Sequence, residues 1–163
     1  GLVGSEMCIR DRYYQQLELG YNYRITDIAC ALGASQMNKL DGFLKRRREI
    51  AARYDEAFKN IQQIQIPRQQ EGCESGWHLY MIQSLKRDRR KVFDGLRKEG
   101  IGVNVHYIPV YRHPYYQRNG YAGVCCPKAE KYYERAISLP IHPQLTEKQQ
   151  DYVIDQVICE CTK

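Results

Sequence analysis

Two short stretches of the chain hold the side chains best suited to chemistry. In LGYNYRITD, residues 19–27, Asn22 and Arg24 stand just before a helix start at Thr26 and Asp27. Unsatisfied N–H groups and the positive end of the helix dipole favour an anion there. The two side chains add an amide donor and a planar guanidinium, so a phosphate fits. A turn cap beside a solvated arginine is the alternative, and spacing does not separate the two. In VNVHYIPVYRHPYYQ, residues 103–117, Ile108-Pro109 and His113-Pro114 hold the residues before each proline extended and lead a strand into a rigid bend. His106, Tyr107, Tyr111, Tyr115 and Tyr116 are strung along it, offering flat faces for stacking and hydroxyls for hydrogen bonds, as a sugar or base platform requires. The alternative is a strand histidine among amphipathic packing tyrosines. His78 and His142 read as structural.

Other chemistries find no support. The chain lacks G-x-S-x-G, G-x-x-x-x-G-K-[ST] and G-x-G-x-x-G, which position nucleophiles and phosphates. Its seven cysteines are odd in number and form no C-x-x-C pair, so reduced thiols in the cytoplasm are expected rather than a zinc site or disulfide framework. The net charge of +6 is compatible with any anionic partner. The basic runs Lys45–Arg48 and Lys86–Lys91 have Glu49 and Asp88 beside or among them and read as solvated helix faces, not as a nucleic-acid surface. No apolar run approaches the roughly 18 residues of a membrane span. Fourteen tyrosines against one tryptophan and three phenylalanines predict many half-buried rings with the hydroxyl in water or on a ligand.

The elements that must position these residues follow from periodicity. Thr26 caps a helix. Apolar residues from Leu40 through Phe43, Leu44, Ile50, Tyr54 and Phe58 to Ile61 then recur at mostly three- and four-residue steps, which predicts one long helix or two in tandem, with Gly33 or Gly42 as breaks and an end before Pro67. WHLYMIQS, residues 77–84, reads as a central strand, apolar on both faces. Asp88 caps a helix that Gly100 stops, and Ile101 to Pro109 reads as a second strand. Pro127 opens a helix expected to run through Ala129, Tyr133, Ala136 and Ile137, with SLPIHP a short extended piece. Thr146 and Gln149 form a capping box for a last helix with Val153, Ile154, Val157, Ile158 and Cys161 on one face. The predicted fold is α+β, a small sheet covered by helices.

Residues 1–12, GLVGSEMCIRDR, have no sustained periodicity and neither a signal nor a transit pattern. The string resembles a translated sequencing adapter, and a non-native extension is expected. The rest divides into an interface segment with its long helix, 13–62, and a small α+β domain, 63–163.

Four ordered blocks carry a resemblance across nearly the whole chain from Tyr13: LGYNYRITDIACALGASQMNKLDGFLKRRREIAARYDEAF, GWHLYMIQ, GIGVNVHYIPVYRHPYYQ and AISLPIHPQLTEKQQDYVI. They resemble the DegT/StrS family of sugar-nucleotide aminotransferases. HYIPVYRHPYYQ is most similar to members that aminate C4 of a UDP-linked 4-keto-6-deoxy sugar in pseudaminic acid synthesis. The resemblance implies a pyridoxal 5'-phosphate enzyme of the aspartate-aminotransferase fold, a homodimer with shared active sites, and a keto-sugar nucleotide and an amino donor such as glutamate as substrates. It places this chain at the C-terminal part of such a subunit. It puts Asn22 across the dimer at the cofactor phosphate or substrate, with Arg24 supporting the same anionic site. It lays His106, Tyr107, Ile108, Pro109, Val110 and Tyr111 along the sugar-nucleotide pocket, Tyr111 being the foremost contact. The family's cofactor-bearing lysine lies before Tyr21 in a segment that this chain does not match. No residue here is therefore assigned a catalytic role, and Lys39 and Lys45 read as surface. The other reading is a non-catalytic module that binds a nucleotide sugar or an acidic partner.

Overall fold

The computed structural model describes residues 21 and 23–163. Asn22, the expected extension 1–12 and the start of the interface segment lie outside the described residues. The chain divides into two compact units between Leu40 and Asp41, whereas the division read from the sequence fell at 62/63.

In the first unit, α1 spans Asp27–Met37. Thr26 caps it as expected, its hydroxyl oxygen accepting from the Ala29 N–H at 3.3 Å. Gly33 does not break it: an exposed helical glycine costs about 1 kcal/mol and no more. The break falls at Asn38, where the Lys39 N–H turns back to the Gln36 carbonyl at 2.9 Å and tightens the last turn. Gly42 lies inside the next helix.

The second unit is built around three antiparallel strands in the order β1 (Ile64–Gln65), β2 (Tyr80–Ser84), β3 (Ala136–Leu139). β2 is central, as expected, but starts only at Tyr80, because Trp77 adopts a left-handed φ of 46° that no strand accommodates. Its register sets Tyr80 against Leu139 and Gln83 against Ala136. α2 (Leu40–Phe58) turns Ile50, Ala51, Tyr54 and Phe58 into the core. That buried stripe makes α2 part of the sheet domain rather than a separate segment. Tyr54 packs 4.9 Å from Tyr80, ring to ring. α3 (Arg89–Lys98) and α5 (Glu147–Thr162) pack on one another, and α3 also meets β2 and β3. Apolar residues of all these elements, among them Ile82, Val92, Leu96, Ile137, Val153 and Val157, form one core. The capping box of Thr146 and Gln149 is present.

Two expected elements differ. Residues 101–109 are not a strand: the Val103 N–H turns back to the Ile101 carbonyl at 2.9 Å, and one bridge, Asn104 to Ser138, joins the segment to β3. The helix opened by Pro127, α4 (Pro127–Tyr133), stops before Ala136 and Ile137, because those residues pair with Gln83 and Ile82 in the sheet.

Candidate functional site

The segment 104–111 is held at the sheet edge mainly by β3. Backbone bonds of 3.2 and 2.8 Å join Asn104 and Ser138 in both directions, and the buried Ser138 hydroxyl also meets His106 Nδ1 at 2.7 Å. Ser138 thus fixes both the backbone and the imidazole. The His106 ring stands edge-on to Tyr107 at 4.5 Å, and Tyr107 is 70% exposed. Ile108 and Pro109 are half-buried, and Val110 is 58% exposed.

Tyr111 is fastened from the other side. Its hydroxyl donates to Glu130 Oε1 at 2.7 Å and accepts from the Cys126 N–H at 3.2 Å, while its carbonyl accepts from Gln117 Nε2. Arg112 pairs with the second Glu130 oxygen. Desolvation, then the Glu130 bond, raises the Tyr111 hydroxyl above its ordinary pKa, so it stays protonated. The expected foremost contact is therefore half-buried with its hydroxyl already engaged, and within residues 106–111 the groups most open to a ligand are Tyr107 and Val110. Beyond it the chain is not a plain bend. It forms a 3₁₀ turn at Val110–Arg112, a helical turn at Pro114–Tyr116 and a wide turn at Gln117–Tyr121, where Gly120 supplies a φ of 92°.

Ser138, Glu130 and Arg112 were not legible as site residues. Serine inside AISL and glutamate inside PKAEKYY carry no local signal, and only the tertiary fold brings them to this segment. The six candidates from His106 to Tyr111 form one continuous pinned segment of the second unit, and Arg24 is an exposed residue of the first. Three surface pockets, of about 500, 370 and 360 Å³, are lined by other residues.

The first basic run is not merely solvated. Arg46 donates to the Leu145 carbonyl at 2.8 Å, Arg47 to the carbonyls of Trp77 and His78 at 2.9 and 3.2 Å, and Arg48 pairs with Glu74 at 2.8 Å. These arginines tie α2 to the loops around it. Among the described residues no group of His, Cys, Asp and Glu could hold a metal. No helix there is long and apolar enough to cross a membrane.

The chain belongs to the DegT/DnrJ/EryC1/StrS aminotransferase family, whose model matches residues 2–158. A UDP-4-amino-4,6-dideoxy-N-acetyl-beta-L-altrosamine transaminase of Campylobacter jejuni is 35% identical over 94% of this chain and 42% of its own length. Among solved structures, Helicobacter pylori PseC, an aminotransferase involved in biosynthesis of pseudoaminic acid, aligns with a TM-score of 0.86 at 28% identity over 94% of this chain and 42% of that one. The pyridoxal-phosphate form of a sugar aminotransferase from Streptococcus pneumoniae aligns with a TM-score of 0.87 at 30% identity over 93% and 40%. The chain thus spans about two fifths of the length of the proteins it matches. The α+β fold read from the sequence is that of the corresponding part of these aminotransferases.

Family members use pyridoxal phosphate. The described residues match only part of what that cofactor needs. Arg24, an exposed guanidinium two residues ahead of the α1 cap, can hold a phosphate oxygen. An amine that condenses with the aldehyde needs a desolvated or cation-lined site to lower its pKa, yet every lysine among the described residues is exposed.

Proposed function

We propose that the chain is the substrate-facing part of a pyridoxal-phosphate aminotransferase that aminates C4 of a UDP-linked 4-keto-6-deoxy sugar, with glutamate as donor. Carrying the reading is one observation: in a chain of this family, Tyr107 and Val110 are held out to solvent on a backbone pinned at His106 by Ser138 and at Tyr111 by Glu130. Such a platform has lost its loop freedom before a ligand arrives, so binding costs less ordering.

Bound in the complete site, pyridoxal phosphate supplies the aldehyde and conjugated ring through which the amino group passes from donor to sugar. This chain's residues do the rest by position. Tyr107 offers its face to the sugar or uracil ring, and Ile108, Pro109 and Val110 wall the pocket and exclude water. Tyr111, anchored on Glu130, fixes the direction of the segment. Arg24 and Asn22 hold an anionic group of cofactor or substrate, in a homodimer whose subunits share the site. We place the enzyme in the cytoplasm, where its thiols stay reduced. Alone, the chain does not transaminate, because no lysine of it takes up the cofactor.

Titration with a UDP-sugar followed by NMR tests the pocket. Resonances of residues 106–111 should shift saturably. Tyr107→Ala should weaken binding roughly tenfold, the worth of one stacked ring. Tyr111→Phe should weaken it roughly fivefold by releasing the segment from Glu130. Saturable shifts elsewhere with none at 106–111 would overturn the assignment.

A further inference from the structure

The second basic run has a use that the sugar-nucleotide reading leaves untouched. Residues 84–90 and 133–135 enclose an open pocket of about 370 Å³, within the size range of small-ligand sites. Lys86, Arg87, Arg89, Arg90 and Arg135 line it against only two carboxylates, Asp88 and Glu134. We propose that this pocket binds a small polyanion of the pyrophosphate class.

Three of the five cations have a side-chain partner. Arg87 belongs to the floor: it donates to Glu160 Oε2 at 2.6 Å, and its carbonyl accepts from the Ser84 hydroxyl at 2.7 Å. That fastens the loop and leaves the other four cations for a ligand. The Arg89 guanidinium lies 5.0 Å from the centre of the Tyr133 ring, which parks it along the wall and reduces the ordering cost of binding. The Arg135 carbonyl accepts from the Ser84 N–H at 3.0 Å, so its side chain starts from a fixed backbone. Arg90 reaches Asp94 only loosely, at 3.9 Å, and its side chain is 87% exposed. Of the two acids, Asp88 is occupied as the cap of α3, accepting from the Lys91 N–H at 3.1 Å.

Ligand class follows from this lining. Guanidinium forks match phosphate oxygens in pairs. Apart from Leu85 and the Tyr133 ring, over which Arg89 already lies, the lining is polar, so it offers little to a nucleobase or another ring. The volume exceeds that of one phosphate, and cations on two chain segments suit two joined phosphates better than a single tetrahedral ion. The N–H groups of Arg89 and Arg90, in the first turn of α3, have no intrahelical acceptor by position.

Titration of the chain with inorganic pyrophosphate, followed by amide NMR and calorimetry, tests the proposal. Saturable shifts confined to Leu85–Lys91 and Tyr133–Arg135 are expected. Arg89→Gln and Arg135→Gln should each weaken binding roughly tenfold. Asp88→Asn keeps the cap, since asparagine caps as well as aspartate, and should tighten binding roughly threefold by removing a negative charge. Lys45→Gln, on α2 outside the pocket, should leave the affinity unchanged. If Arg135→Gln fails to melt cooperatively, Arg89→Gln carries the comparison. Equal loss in Lys45→Gln, shifts at 106–111 instead, no saturation, or binding of a polyglutamate peptide but not of pyrophosphate would each overturn it.

Discussion

At the residue scale, environment decides what each side chain can do. Cys161 is buried and its thiol is pushed up to about 11, chiefly by desolvation, whereas Cys30, Cys73, Cys125, Cys126 and Cys159 are exposed. Reaction with a thiol reagent needs the thiolate and access to it. Mass spectrometry of iodoacetamide-treated protein should therefore show Cys161 modified only after unfolding, well behind these five exposed cysteines. Modification of Cys161 at the same rate would mean that α5 does not cover it. Single residues were also the hardest features to read in advance. A histidine before a Tyr-Ile-Pro run announces itself, but the serine and glutamate that pin the segment do so only once β3 and α4 are folded against it. Arg46 and Arg47 look solvated in a run of four cations, yet the carbonyls they reach lie in loops up to 99 residues further along the chain.

At the element scale, caps and breakers were legible and short strands were not. Thr26, Asp88 and the Thr146–Gln149 box each bond as their sequence pattern requires. Gly100 ends α3 with a φ of 75°; the Ile101 N–H returns to Leu96 and the Gly100 N–H to Arg97 at 3.0 and 3.1 Å. Leu96 and Ile101, both buried, add the hydrophobic contact that accompanies such a closure. Gly100→Ala should lower stability by about 1 kcal/mol, the cost of a left-handed alanine, visible as a lower urea midpoint with an unchanged slope. An unchanged midpoint would mean that the turn is not held as described. β1, by contrast, is two residues long and has no periodicity to detect. KAEKYYERAI keeps helical spacing through Ile137, and only pairing with β2 draws Ala136 and Ile137 into the sheet. Tertiary hydrogen bonding won over local propensity at that point.

Across the whole molecule, a charge cluster around the buried Glu160 couples the C-terminal helix to the loop before α3. The Glu160 carboxylate is 5% exposed and held below its usual pKa, first by the Lys163 ammonium and then by Arg87. Gly95 leaves room for it, since a Cβ there would lie 2.4 Å from Glu160 Oε2. The folded pKa lies below the unfolded one, so this stabilisation is complete above about pH 4, the ordinary glutamate range, and is lost as pH falls through the folded value. Glu160→Gln should cost about 2 kcal/mol at neutral pH and flatten the acid limb of a stability-versus-pH curve. An acid limb as steep as before would place the titrating group elsewhere. On this scale the α+β class and the family were legible because they rest on blocks spread over the chain. The division between units was not, since a periodic helix does not reveal which domain its apolar stripe joins.

The central claim is that these residues shape the keto-sugar pocket of an aminotransferase. It is tested most directly by turnover of a chimera in which residues 21–163 replace the matching part of the Campylobacter jejuni transaminase, which itself supplies the cofactor-bearing segment. With pyridoxal phosphate, glutamate and the UDP-linked 4-keto-6-deoxy sugar, the account predicts amination, with Tyr107→Ala lowering kcat/KM roughly tenfold. A folded chimera that binds pyridoxal phosphate but does not aminate this sugar, or one indifferent to Tyr107→Ala, would contradict it.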